Sequence, residues 1–307
     1  MKKYLFVSVL ILIGFGTIVK AQQLPLYTQY MLNDFYLNPA IAGSKDYTPI
    51  VLGVHKQWVG IENSPTTQTI SGHTRLSGNN VGVGGVIFND TFGPERHTGL
   101  QATYAYHFHI DRENSIGLGL AATVFQYHMD QRHFEMTVSP DLDPAISGVI
   151  EQTIVPDAIF GVYAYGKKYW AGITALNLFE SKLKINKNLD DNTMVRHYWA
   201  MGGYRFDFDG SPEWEVEPSA LVKMTEVTPP QFDINLKIIY NGDYWFGFSI
   251  RPEDSFIACV GMRVNQYYFG LSYDFTFSDL SAYTIGSTEI VFGINIGEGA
   301  SVSRSFF

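Results

Sequence analysis

Leu100-Gln101-Ala102-Thr103-Tyr104-Ala105-Tyr106-His107-Phe108-His109-Ile110 is the stretch that decides the fold. Leu100, Ala102, Tyr104, Tyr106, Phe108 and Ile110 form one apolar series, and Gln101, Thr103, Ala105, His107 and His109 form its complement. Successive side chains of a β-strand point to opposite faces, so this alternation makes a strand with one greasy and one polar surface. The same period returns at Phe232, Ile234, Leu236, Ile238 and Tyr240, set against Gln231, Asp233, Asn235 and Lys237. It returns again at Tyr267, Phe269, Leu271, Tyr273 and Phe275, set against Gly270, Ser272 and Asp274. Past the first 21 residues, no segment shows helical spacing of that quality.

Outward from these segments, turn chemistry marks the hairpins. Ser77-Gly78-Asn79-Asn80, Asp111-Arg112-Glu113-Asn114, Asn241-Gly242-Asp243 and Val264-Asn265-Gln266 are each short enough to close one. Longer connections are expected over 89–98, 130–156 and 180–195. Strands are expected near 47–56, 66–76, 81–89, 98–110, 115–129, 157–166, 169–178, 196–208, 214–223, 231–240, 244–251, 256–263, 267–276 and 288–296, fourteen in all. An even count with short turns alternating with longer loops is the habit of an outer-membrane barrel. Aromatic residues at strand ends, as in 198–199, 244–246 and 267–269, suit the girdles of such a barrel. The expected fold is therefore all-β: a transmembrane antiparallel β-barrel of about fourteen strands over residues 47–297. A soluble barrel or sandwich shares the alternation, but not the strand length, the aromatic density and the low charge together.

Composition narrows the function. The 307 residues are 46% hydrophobic and 15% aromatic, and only 17% are charged, with a formal net charge of −9. The single cysteine, Cys259, excludes a disulfide scaffold and a Cys-ligated zinc site, and the acidic balance disfavours nucleic acid as a partner. Lys2 and Lys3 precede an apolar stretch from Tyr4 to Val19, and Val19-Lys20-Ala21 has small residues at −3 and −1. This reads as a signal peptide over 1–21, cleaved to export the protein to the outer membrane.

Few residues suggest chemistry. His107 and His109 share a strand face and could begin a metal site, although lining a hydrated lumen explains them more simply. Asp207-Phe208-Asp209-Gly210 has its glycine too early for a calcium loop and reads as a hairpin turn. Gly82-Val83-Gly84-Gly85 follows no strand-to-helix switch, so it fits strand curvature or the close approach of a plug better than a phosphate cradle. Lys182, Lys184 and Lys187 form a small basic stretch on a solvated loop. No Gly-x-Ser-x-Gly motif singles out a nucleophile. No catalytic, cofactor-binding or metal-binding residue is assigned, and the chain is expected not to be an enzyme.

The irregular segment 22–46 is different. Tyr27, Tyr30, Met31, Phe35, Tyr36 and Leu37 all prefer burial, so the segment should close the barrel as a plug or meet a partner. From it onward the chain closely resembles the PorP/SprF family, outer-membrane proteins of the type IX secretion system. The resemblance rests on Gln29-Tyr30-Met31, Tyr36-Leu37-Asn38-Pro39-Ala40, Ala42-Gly43-Ser44, Gln57-Trp58-Val59-Gly60-Ile61 and Pro65-Thr66. It continues through Tyr104-Ala105-Tyr106, Arg196-His197-Tyr198, Glu217-Pro218-Ser219 with Lys223, and Tyr273-Asp274-Phe275. Asp34 stands where the family often has proline, Ser287-Thr288-Glu289-Ile290 has threonine where histidine is common, and a tail over 298–307 follows the last strand.

The resemblance implies a non-enzymatic component that binds, guides or anchors a secreted surface protein, such as a gliding adhesin with its C-terminal domain, or that links to periplasmic secretion machinery. Outer-membrane lipid would surround it. Gln29, Tyr30, Met31, Asn33, Tyr36, Asn38, Pro39, Gln57 and Trp58 are the candidate partner-binding residues. The competing reading is a channel or transporter for small or hydrophobic solutes. An open pore would separate the two.

Overall fold

A computed structural model of the chain describes residues 33–77, 80–132, 149–183, 193–208 and 210–297. The strands are β1 (Thr48–Lys56), β2 (Thr66–Arg75), β3 (Val81–Phe92), β4 (Glu95–His109), β5 (Ser115–Asp130), β6 (Ile150–Tyr165), β7 (Tyr169–Leu176) and β8 (His197–Tyr204). They continue as β9 (Phe206–Phe208), β10 (Ser211–Thr225), β11 (Gln231–Tyr240), β12 (Tyr244–Arg251), β13 (Ser255–Val264), β14 (Tyr267–Thr276) and β15 (Ser287–Ile296). β9 carries β8 past Arg205, so the fifteen segments make fourteen staves. Neighbours in sequence pair antiparallel throughout, and β15 pairs with β1 from Thr48↔Ile296 to Lys56↔Thr288. The sheet is closed into a barrel. Closure leaves no membrane-embedded edge without hydrogen bonds, which is what lipid demands of a sheet.

The two faces separate as the alternation requires. Tyr104, Tyr106, Phe108, Phe246, Phe248, Phe269 and Phe275 lie exposed on the outer wall, while Gln101, Thr103, His107, Asn235, Lys237 and Ser272 are buried inside. From Tyr267 to Phe277 the outward side chains stay apolar, roughly 33 Å along the strand at ~3.3 Å per residue. With a tilt of ~40°, that is a band about 25 Å tall, the thickness a membrane barrel needs. Trp199, Trp245 and Tyr268 depart from a simple girdle. Each is the inward member of an aromatic run and is buried in the lumen.

The ends of the barrel are unequal. One end carries the turns 76–80, 110–114, 166–168, 209–210, 241–243 and 265–266, together with the entry to β1 and the exit from β15. The other carries the longer connections 57–65, 131–149, 177–196 and 277–286. Short turns lie on the periplasmic side of such barrels and long loops outside, which orients the molecule. Two sequence expectations change here. The segment 89–98 is not a loop, because β3 and β4 run on to a tight turn at Gly93-Pro94. Likewise β6 begins at Ile150 rather than near 157, and pairs with β5 from Asp130↔Ile150 to Ser115↔Tyr165. Strands β4 to β6 therefore rise above the apolar band on the outside.

Candidate functional site

The N-terminal segment enters the barrel from the periplasmic end. Asn38, Ala40, Ile41 and Ala42 have no exposed surface. Two short 3-10 turns, Asp34–Tyr36 and Pro39–Ile41, fold it, and the Asn38 side chain caps the second by accepting from the Ala40 amide at 2.9 Å. Pro39 sits at the start of that turn, where a missing N–H costs nothing.

Glycines on the wall make room for it. A Cβ at Gly82 would overlap the carbonyl of Ala42, one at Gly119 the backbone of Pro39 and Ala40, and one at Gly161 the side-chain oxygen of Asn38. Gly84 leaves space for the Phe35 ring, whose centroid lies 4.9 Å from that of His73. These glycines lie on β3, β5 and β6, so one side of the lumen is a smooth track for the plug backbone. Gly43 itself has φ +76°, a conformation that a side chain would strain.

Polar side chains of the wall then hold the plug. His73 Nδ1 accepts from the Gly43 amide at 3.1 Å, and His107 Nε2 donates to the Ala42 carbonyl at 2.7 Å. The Tyr165 hydroxyl lies 3.0 Å from His107 Nδ1. Accepting from the Gly43 amide leaves His73 neutral with its proton on Nε2. Arg75 Nε donates to the Gly43 carbonyl at 2.7 Å, and Asn38 Nδ2 donates to the Val162 carbonyl at 2.9 Å. Within the plug, Lys45 and Asp34 are 3.6 Å apart. Burial works against the Lys45 charge, but the Asp34 carboxylate outweighs it and the pKa is raised. His109, expected to share the lumen with His107, points to Ser115 Oγ at 2.8 Å near the periplasmic turn. Among the described residues no group of three or more His, Cys, Asp or Glu is placed to hold a metal.

At the other end, the described part of the β7–β8 connection folds over β5 and β6 as a lid. In the β7–β8 connection Leu183 is buried against Phe125, Tyr127 and Val155. Asp157 Oδ1 accepts from the Phe179 amide at 3.2 Å, the Ala158 carbonyl accepts from Leu178, and Arg196 pairs with Glu180 at 2.7 Å. Sequence reading missed Leu183, Asp157 and the lid they form.

The wall opposite the plug carries ion pairs. Glu217 on β10 accepts from Arg205 at 2.8 Å and 3.0 Å, and its other oxygen is 3.0 Å from Lys237 Nζ. Arg251 donates to Asp233 at 2.8 Å, and Lys223 is 3.7 Å from Asp233. Between the plug and β14, β15, β1 and β2 remains only a small crevice, lined among others by Asn33, Lys45, His73, Tyr268 and Asn295.

The nine candidate partner-binding positions fall in three groups. Gln29, Tyr30 and Met31 lie outside the described residues. Asn33, Tyr36, Asn38 and Pro39 belong to the plug, with Asn33 Oδ1 accepting from Ser71. Gln57 and Trp58 open the extracellular loop 57–65, far from the others. Trp58 has φ +47°, its amide donates to Ser287 Oγ, and its ring meets Phe92 edge-on at 6.5 Å. Val59 bonds to Gly286 and accepts from Ile285, which ties this loop to 277–286 across the β15–β1 seam.

The class is therefore a closed, internally stoppered outer-membrane β-barrel. The chain belongs to the PorP/SprF family of type IX secretion system membrane proteins, whose model matches residues 19–294. No curated protein sequence matches the chain. Among solved structures it is similar to the CymD monoaromatic hydrocarbon channel, at 11% identity over 86% of this chain and 91% of that one, with a TM-score of 0.48. It is similar to the toluene transporter TodX of Pseudomonas putida, at 9% identity over 91% and 95%, with a TM-score of 0.46. BamA from Haemophilus ducreyi lacking POTRA domains 1–3 gives 10% identity over 82% and 71%, with a TM-score of 0.45. Scores of that size assign no activity.

Proposed function

We propose that this protein is a docking component rather than a pore: it binds, guides or anchors a secreted cell-surface protein at the outer membrane, in association with the type IX secretion machinery. The observation that carries this reading is the filled lumen. The segment 33–46 fills the barrel from the periplasmic side, the β7–β8 lid covers it from outside, and the surfaces left for function are loops, rims and the outer wall. The reading is non-enzymatic, in keeping with a family of secretion-system membrane proteins. A channel for small or hydrophobic solutes is the competing function, and it requires the plug or the lid to move.

The test is isolation of tagged protein from native outer membranes in mild detergent, with co-purifying proteins identified. A stoichiometric secreted surface protein, or secretion machinery, is the expected result. A barrel recovered alone would transfer the weight to the transporter reading. Deleting 26–44 adds a second arm. If export and surface display survive in a correctly assembled barrel, the plug motif is not the partner surface.

A further inference from the structure

Loop 277–286, between β14 and β15, is fixed by hydrogen bonds and yet turns its apolar side chains outward. Thr284 is buried and holds the loop from within. Its hydroxyl donates to the Val59 carbonyl at 2.9 Å and accepts from the Gly286 amide at 3.0 Å. The Phe277 amide donates to the Asp254 carbonyl, and the Tyr283 and Thr284 amides donate to the Leu280 carbonyl behind the 3-10 turn Asp279–Ala282. Even so, Phe277, Leu280, Tyr283 and Ile285 are exposed, Tyr283 by 75% and Ile285 by 70%. Four large apolar side chains held in the open within one short loop mark an interaction surface.

The loop lies at the level of the bilayer, on the outside of the wall. Tyr273 stands between the inward Ser272 and Asp274, so its ring points outward beside that of Phe275, with 4.8 Å between centroids. Its hydroxyl donates to the Ile285 carbonyl, which brings the returning arm of the loop down against the outer face of β14. Gly286 has φ +125°, and a Cβ there would meet the Asp274 carbonyl and the Tyr273 ring, so glycine is what lets the arm lie so close. Tyr273 and Phe275 belong to the apolar band that runs from Tyr267 to Phe277. Strands β4 to β6 rise above that band, but β14 ends with it. The loop therefore leaves the barrel at the membrane surface.

We propose that loop 277–286 is a membrane anchor: Phe277, Leu280, Tyr283 and Ile285 enter the outer leaflet and bind acyl chains beneath its headgroups. This surface is separate from the docking function given above and does not depend on it. Continuity with the apolar wall selects lipid over a protein partner, because the hydrocarbon that covers Phe275 also reaches Ile285. Charge points the same way. The loop has no Lys or Arg, and Asp279 is its one charged residue. Apolar burial, rather than attraction to anionic headgroups, is what holds such a segment in the interface. Because Val59 bonds to both Ile285 and Gly286, the anchor also fixes the height of loop 57–65 over the membrane.

Nitroxide labels at Tyr283→Cys and, in a second variant, Ile285→Cys test this on the folded barrel in vesicles of phosphatidylethanolamine and phosphatidylglycerol. Unmodified protein, whose single cysteine Cys259 is buried, gives the labelling background. Collisions with oxygen, which dissolves in lipid, are measured against collisions with a water-soluble nickel chelate. Labels at Phe275→Cys on the wall and Arg112→Cys on a periplasmic turn set the lipid and water limits. The expected oxygen-to-nickel ratio at both loop positions is that of Phe275→Cys, at low and at high salt alike. A ratio matching Arg112→Cys would overturn the proposal, since the loop would then stand in water. Protection from both reagents, which a covering protein segment gives, would overturn it too, as would a ratio that falls at high salt.

Discussion

Replacing Gly82 and Gly119 together by valine should expel the N-terminal segment from a barrel that still assembles. Both new side chains project into the lumen, where the Ala42 carbonyl and the Pro39–Ala40 backbone now lie against the wall. Backbone cannot step aside as a flexible side chain can, so the overlap is relieved only by moving the plug. Overpacking costs about 1–3 kcal/mol per site, and two sites give about 4 kcal/mol, roughly a thousandfold shift toward the displaced segment. Valine favours strands, so the ladders β2–β3 and β4–β5 should form normally. Trypsin cleavage at Lys45 reads the result. Lys45 is sheltered beside Asp34 and should be cut slowly in the wild type and rapidly in the double variant, while the heat-modified mobility of the folded barrel is kept. A Lys45 still protected in the folded variant would show that the glycine track does not hold the plug.

The second large effect is on stability. Glu217 is the only carboxylate within 3.0 Å of both Arg205 and Lys237 among the described residues, and all three are almost completely buried. Glu217→Leu leaves two buried cations facing one another, with Glu215 still 3.5 Å from Arg205. Removing one partner from a buried pair costs about 3–5 kcal/mol, because the charge left behind loses its closest counter-charge. The unfolding midpoint in urea should fall accordingly. Removing Lys237 as well, as Glu217→Leu with Lys237→Leu, should recover part of the loss. If the double variant is less stable than the single one by the full cost of Lys237, the two side chains are not coupled.

Much of this was legible in the sequence, for a physical reason. A barrel wall has a strict period of two, and every strand must satisfy it. The alternation at 100–110 therefore located β4, its outer face and its buried face, and His107 and Lys237 fell on the lumen side as the pattern required. The glycines at 82 and 84 were readable as a place of curvature or of close approach, and the structure shows the approach. What the pattern could not reach was anything made by register. Glu217 and Lys237 lie 20 positions apart and meet because β10 and β11 pair them directly. Arg205 joins them from the break between β8 and β9, where a local period ends. The start of β6 was hidden because Glu151, Gln152 and Thr153 read as loop chemistry; above the membrane a strand no longer needs an apolar face. Leu183 resembled any loop leucine, since its burial depends on β5 and β6 lying beneath it. The candidate partner residues were grouped by motif, yet space divides the described ones between the plug and the extracellular seam.

The filled lumen is the central claim, and conductance tests it most directly. On the reading proposed here residues 33–46 and the β7–β8 lid block the lumen, so wild-type protein reconstituted into planar bilayers should give no stable current. Removal of 33–46 together with Leu183→Ser and Asp157→Ala, which unfasten the lid, should open steps of current in the same assembled barrel. Large, steady currents from the intact wild-type chain would contradict the account and make the protein a channel.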